Sequence, residues 1–310
     1  MGAACTGRRY RECQQGTTRN DGAEFNGCSG APTTRMSAPV TAVDCHAHVM
    51  LRDLPLAAER HSSPKRDVTV EEFIGVLDRY SISHGVLTAP SFYGTDNSFL
   101  LRSLAAYPER LRGTAIVSPD IDESALVDMD RRGVVGIRLN WFNRETLPDV
   151  ESASYRALFA KLQKLDWQVE IYIEGHKLAS LLPAIRAHGV KCVVDHFGAP
   201  DAALGVDDPG FVESLRGVSA GDTWVKLSAP YRQGGADCQR YVDALLDAGG
   251  PEQLVWASDF PFISHEATID YPMCVRWIEE WVPDDRTRNI ILGDTPAKLF
   301  RFGPVHIANG

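Results

Sequence analysis

The chain has no Cys-x-x-Cys pair, no Gly-x-Gly-x-x-Gly turn after its first strand-like segment and no phosphate-binding loop. Its seven cysteines (Cys5, Cys13, Cys28, Cys45, Cys192, Cys238, Cys274) are odd in number and widely spaced. That pattern argues against a disulfide framework or zinc finger and suits a reducing, cytoplasmic setting. Without the glycine fingerprints a nucleotide-binding reading is weak. No apolar run nears the ~20 residues of a membrane span. Positive charge is also short: 32 Lys and Arg face 41 Asp and Glu, for a net charge of −9. General affinity for nucleic acid or an anionic membrane is therefore not expected. What remains is an ordinary globular composition, 44% hydrophobic and 24% charged, in 310 residues. One α/β barrel needs about 250 residues.

The first 35 residues differ from the rest. They are rich in Gly, Thr, Arg and Asn, lack apolar periodicity and lack the apolar region of a secretory signal. Residues 1–40 are expected to be a disordered extension unable to bury enough apolar area to offset its ordering entropy. Met36, just before the first strand-like run, is the expected native start.

From residue 41 short β-branched runs alternate with helical patterns. The expected strands are Ala42–Val49, His84–Pro90, Gly113–Ser118, Val134–Asn140, Gln168–Ile173, Lys191–Phe197, Thr223–Ala229 and Gln253–Ser258. Apolar spacing of i, i+3, i+4 predicts helices at Val70–Tyr80, Ser98–Tyr107, Tyr155–Leu165, Ala179–His188, Cys238–Leu246 and Tyr271–Trp281. Continuous Val/Ile/Leu strands with helical crossovers imply a parallel sheet covered by helices. Eight such units predict a single-domain (β/α)8 TIM barrel over residues 41–303, with 304–310 as a tail.

Barrel enzymes react at the C-terminal ends of their strands, and polar residues gather there. The first strand closes on Asp44-Cys45-His46-Ala47-His48. Histidines at i and i+2 of a strand share a face, so their rings can converge on one metal ion or one reacting group. Ser91 and Tyr93 follow the second strand, Arg138 and Arg144 the fourth, Tyr172 closes the fifth, His196 the sixth, Arg232 the seventh and Asp259 the eighth. Any one of these reads equally as a turn or cap residue. Together on one barrel face they suggest a cleft of titratable groups.

The order of His46-Ala47-His48, Asp195-His196-Phe197-Gly198 and Ala257-Ser258-Asp259-Phe260-Pro261 resembles the amidohydrolase superfamily, in its amidohydrolase-2 branch. Ser91-Phe92-Tyr93-Gly94-Thr95-Asp96-Asn97, Gly136-Ile137-Arg138 and Lys226-Leu227-Ser228-Ala229-Pro230-Tyr231-Arg232 narrow the likeness to 2-pyrone-4,6-dicarboxylate lactonase-like hydrolases. The resemblance implies that Asp259 is the general base for water. It also implies that His46, His48 and His196 line the reacting carbonyl, with Tyr172 beside them, and that Arg138, Arg144 and Arg232, with Ser91 and Tyr93, bind substrate. The chemistry agrees: a lactone needs a deprotonated water and donors for its oxyanion. Arginine forks suit carboxylates. Ala199-Pro200 stand where the dicarboxylate lactonases place a further basic residue, which implies one carboxylate contact fewer, as in a muconolactone or sugar-acid lactone.

Many barrels of this superfamily bind zinc through the histidine pair, a histidine of the fifth strand and the eighth-strand aspartate. Here Tyr172 stands at the fifth-strand end and His176 comes later, so the ligand count favours catalysis without a metal cofactor. If a metal binds, zinc on His46, His48, His196 and Asp259 is the expected set. The expected partner is a small anionic molecule, and the oligomeric state is left open. Two alternatives remain: a zinc-dependent decarboxylase of aromatic acids on the same barrel, and a barrel that binds a small anion without catalysis.

Overall fold

The computed structural model describes residues 39–303 apart from 59 and 61. Residues 1–38 of the expected extension, the tail and His61, which the sequence places in a loop expected to reach over the barrel mouth as a lid, lie outside the described residues. Eight parallel strands form one sheet in sequence order: β1 (Val43–Ala47), β2 (His84–Thr88), β3 (Leu111–Ala115), β4 (Val134–Asn140), β5 (Gln168–Tyr172), β6 (Lys191–Val194), β7 (Thr223–Leu227) and β8 (Leu254–Trp256). The cylinder closes just beyond β8, where Asp259 N donates to His46 O at 3.0 Å and His48 N to Phe260 O at 2.8 Å. The fold is the (β/α)8 barrel expected.

Eight helices alternate with the strands: α1 (Val70–Arg79), α2 (Ser98–Ala106), α3 (Glu123–Arg131), α4 (Ala153–Lys164), α5 (Gly175–Arg186), α6 (Pro209–Ala220), α7 (Cys238–Gly249) and α8 (Tyr271–Trp281). Sequence periodicity misses α3 and α6. In α3 only Leu126 is buried, so the apolar stripe is too thin to register. The α6 segment carries Pro209, Gly210 and Gly217, which read as loop punctuation. Asp208 caps it by accepting from Gly210 N and Phe211 N, and proline at the first helical position is tolerated because its missing N–H would be unpaired anyway.

Two clusters build the core. The larger, with Phe73, Leu104, Phe159, Leu182, Phe211 and Leu245, packs helices onto strands. The smaller joins Val86, Val135, Val193 and Val255, one from each even-numbered strand, to Val43, Cys45 and Phe300. Four side chains from alternate strands make one filling layer of such a barrel. Its interior is therefore packed, and chemistry is confined to the strand ends. Trp256 and Trp281 are buried in the packing.

Candidate active site

A β-bulge between Asp44 and Ala47 ends β1 and re-aims the chain. Below it Asp44 accepts from Ser258 Oγ at 2.5 Å, Ser258 N at 2.9 Å and Tyr271 Oη at 3.0 Å, tying the first strand to the turn after β8. His46 and His48 thereby converge, with their Nε2 atoms 3.2 Å apart. His48 lies just past the strand and is held by Nδ1 donating to Thr88 O at 2.7 Å. His196 Nδ1 meets Ser228 Oγ at 2.7 Å. Asp259 Oδ1 lies 3.7 Å, 3.9 Å and 3.8 Å from Nε2 of His46, His48 and His196. Its other oxygen accepts from Tyr231 Oη and Arg232 Nε, each at 2.8 Å.

His196, Ala229 and Asp259 all have positive φ, 50°, 50° and 65°. Such left-handed backbone in non-glycine residues costs about 1–3 kcal/mol each and concentrates at working sites. Gln233 Nε2 braces two of these turns, donating to His196 O at 3.0 Å and Ala229 O at 3.3 Å.

Under this cup lies a charged floor that strand-end reading only partly found. Lys226 Nζ sits 2.6 Å from Glu170 Oε2, 3.0 Å from Asp195 Oδ1 and 3.0 Å from His46 Nδ1. Arg138 reaches Asp195 Oδ2 at 3.1 Å and Glu170 Oε1 at 3.3 Å. Lys226, Glu170 and Asp195 have no solvent exposure. Glu170 was hidden because it sits inside an apolar strand; only the inward face of β5 gives it meaning. Burial and the Asp195 charge push Glu170 up to about 7. Asp195 is also pushed up by burial, but Lys226, His46 and Arg138 outweigh that and hold it well below the usual carboxylate range. Burial lowers His48 and His196 to about 4 and His46 well below the usual imidazole value, so all three rings are neutral at pH 7. Burial raises Asp259, yet Arg232 and the three histidines hold it well below the usual carboxylate range. It stays ionised.

A cavity of ≈ 200 Å³ opens over the cup, lined by His48, Ser91, Arg138, Asn140, Phe142, Tyr172, His196, Arg232 and Asp259. Tyr172, raised to about 12 chiefly by burial, stacks on Phe142 at 4.8 Å and stays protonated. Two residues expected at the substrate are placed elsewhere. Tyr93 spends its hydroxyl on the Leu51 backbone, at 2.6 Å to the carbonyl and 2.8 Å to the N–H. Arg144 is exposed and lines a larger neighbouring cleft of ≈ 1060 Å³ with Arg60, sharing Ser91, Arg138 and Asn140 with the cup. Phe142 and Glu170 complete the site and stood outside the expected set, together with Asn140 and Lys226, which the sequence shows as polar strand-end residues without an assigned role. His176 is exposed in the first turn of α5, away from the cup.

The cup can hold a metal by spacing. Tetrahedral zinc with bonds of about 2.0–2.1 Å sets its ligand atoms about 3.3 Å apart. The His46, His48 and Asp259 donors lie 3.2–3.9 Å apart, and His196 Nε2 lies 3.8 Å from Asp259 Oδ1. His46, His48 and Asp259 form one candidate ligand group, and His46, Asp195 and His196 another. The expectation of a metal-free site thus finds no support in this spacing.

A hydrolytic cup of histidines and one aspartate at the C-terminal mouth of a (β/α)8 barrel defines an amidohydrolase-type enzyme. The chain belongs to the amidohydrolase family, whose model matches residues 43–302. Metal binding is usual in that family. The 4-sulfomuconolactone hydrolase of Rhizobium radiobacter is 27% identical over 292 residues, covering 88% of this chain and 95% of that protein. A provisionally named 2-pyrone-4,6-dicarboxylic acid hydrolase from Pseudomonas putida has a solved structure at 36% identity and TM-score 0.79, covering 86% and 99% of the two chains. A similarly named Acinetobacter baumannii structure with citric acid bound matches at 30% identity and TM-score 0.77, covering 84% and 99%. No described helix is long and apolar enough to cross a membrane.

Proposed function

We propose that the protein opens a small anionic lactone using a water oriented by Asp259. The observation that carries this reading is the placement of Asp259: Oδ2 is fixed by Tyr231 and Arg232, and Oδ1 faces three neutral imidazoles. Water bound at Oδ1 attacks the lactone carbonyl and its proton passes to Asp259. The ring C–O bond then breaks and Asp259 returns its proton to the leaving oxygen to give the alcohol. The new carboxylic acid loses the second water proton to solution. The His46 Nε2–H and the Tyr172 hydroxyl supply donors for the developing oxyanion.

Arg232 sets the charge of the substrate. It uses Nε on Asp259 and Nη2 on Ile263 O, which leaves guanidinium donors to spare. An anionic substrate group on Arg232 shares its charge and so raises the basicity of Asp259 when the water needs it. Arg138 is already engaged by Asp195, Glu170 and Ala89 O, so it shapes the cup more than it grips a carboxylate. Arg144 and Ser91 serve a substituent that extends into the neighbouring cleft. A divalent ion, when present, would be held by His46, His48, His196 and Asp259 and would polarise the carbonyl. The relatives named for lactone hydrolysis and the citrate-bound neighbour support an acidic lactone.

A panel of lactones screened by indicator acidification tests the proposal. Acidification is expected with a carboxylated or sulfonated lactone. Its absence across the panel, with CO2 released from hydroxybenzoates, would establish the decarboxylase reading instead.

A further inference from the structure

Lys226 is the floor residue that comes nearest to His46, whose Nδ1 also has Asp195 Oδ1 at 3.3 Å and Glu170 Oε1 at 3.5 Å. It comes from β7, is fully buried, and places Nζ 3.0 Å from Nδ1 of His46. An ammonium carries three N–H donors and no acceptor. Three acceptors lie within 3.0 Å of Nζ: Glu170 Oε2, Asp195 Oδ1 and His46 Nδ1. Of the three, only His46 Nδ1 is in hydrogen-bond geometry with the ammonium, the two carboxylates being ion-pair contacts. A proton on Nδ1 would set two buried donors face to face across 3.0 Å. Neutral His46 therefore carries its proton on Nε2, which points at His48 Nε2 across 3.2 Å. His48 Nδ1 faces only a carbonyl, Thr88 O at 2.7 Å, so that ring donates there and its Nε2 is free to accept. Every donor in the chain Lys226 to His46 to His48 to Thr88 meets an acceptor, in one direction only.

We propose that Lys226 is a positioning residue that locks His46 as a proton donor into the cup and so weakens the cup as a metal site. A metal ligand must present a lone pair, so zinc at His46 requires Nε2 to lose its proton. The ring would then need to carry its proton on Nδ1, against Lys226. The donor spacing suits zinc, while the residue behind His46 opposes it. Without Lys226, Nδ1 can donate to Asp195 Oδ1, 3.3 Å away, and Nε2 becomes a ligand. The lock belongs to the cup and operates whatever the substrate.

The test is made on the full chain after chelator treatment. Long-range ¹⁵N–¹H spectra of histidine-labelled protein report each ring's tautomer, with His46 assigned by its loss in His46→Asn. The wild type is expected to show His46 protonated on Nε2; protonation on Nδ1 overturns the proposal. The paired variant Lys226→Met, Glu170→Met removes one charge of each sign and leaves Arg138 paired with Asp195. Zinc calorimetry is expected to give at least tenfold tighter binding in the pair than in the wild type. Equal or weaker binding overturns it. If the pair fails to fold, the wild-type tautomer decides alone.

Discussion

The floor of the site and its rim carry charge in opposite ways. On the floor, Glu170, Asp195, Lys226 and Arg138 interlock at 2.6–3.3 Å with almost no exposure. On the rim, the Lys65–Glu266 pair at 3.1 Å leaves its side chains 68% and 33% exposed, and Arg144 is open to solvent. In low dielectric an unpaired charge is costly, so floor residues depend on one another. On the rim, solvent and salt screen each charge, so residues there act nearly alone. The floor fixes the chemistry, and the rim is free to set which substituents the lactone carries.

The largest expected effect is Asp259→Asn, which keeps the shape of the cup but removes the proposed base. A fall in kcat of about 10²–10⁴-fold is expected, the usual range for a general base, with substrate binding retained in calorimetry. A kcat left unchanged would place the chemistry elsewhere. Next comes Lys226→Met alone, which strands buried carboxylates. Breaking such a network costs about 3–5 kcal/mol, read by denaturant unfolding; a loss under 1 kcal/mol would mean the floor is not interdependent.

The floor and cup also set the pH response. His48, His196 and His84 are held at about 4 and His46 well below the usual imidazole value, so between pH 6.5 and 4 the unfolded chain takes up protons that the folded chain does not. Stability is then lost as pH falls through that window. Asp44 and Glu170, raised to about 6 and about 7, act in the opposite sense but are outnumbered. Calorimetric scans should show Tm falling from pH 7 to pH 5; a flat or rising Tm would contradict the neutral, buried histidines. The smallest effects belong to the rim. Arg144→Ala should change stability by about 0.5 kcal/mol or less and raise KM with kcat kept, and Lys65→Ala should cost about 0–1 kcal/mol. A kcat loss in Arg144→Ala as large as in Asp259→Asn would erase the distinction between floor and rim.

The same contrast explains what the sequence made legible. Strand runs and the His46–His48 pair stand out because period-2 pattern and motif spacing are local. The floor is not local: Glu170 and Lys226 meet only when β5 and β7 curve to face one another across the barrel. Arg144 read as a strand-end arginine like Arg138, yet it lies four residues past the end of β4, where the chain has already turned outward to solvent. Asp259 was expected as the base, and Arg232 beside it keeps it ionised. Tyr93 looked like a substrate residue because its loop matched a motif, while its hydroxyl is bound to Leu51.

Turnover in ¹⁸O-labelled water tests the central claim most directly, that water on Asp259 attacks the lactone carbonyl. The account predicts one ¹⁸O in the new carboxylate of the product, none in its alcohol, and one proton released per turnover. Label in the alcohol, or turnover without label, would contradict it.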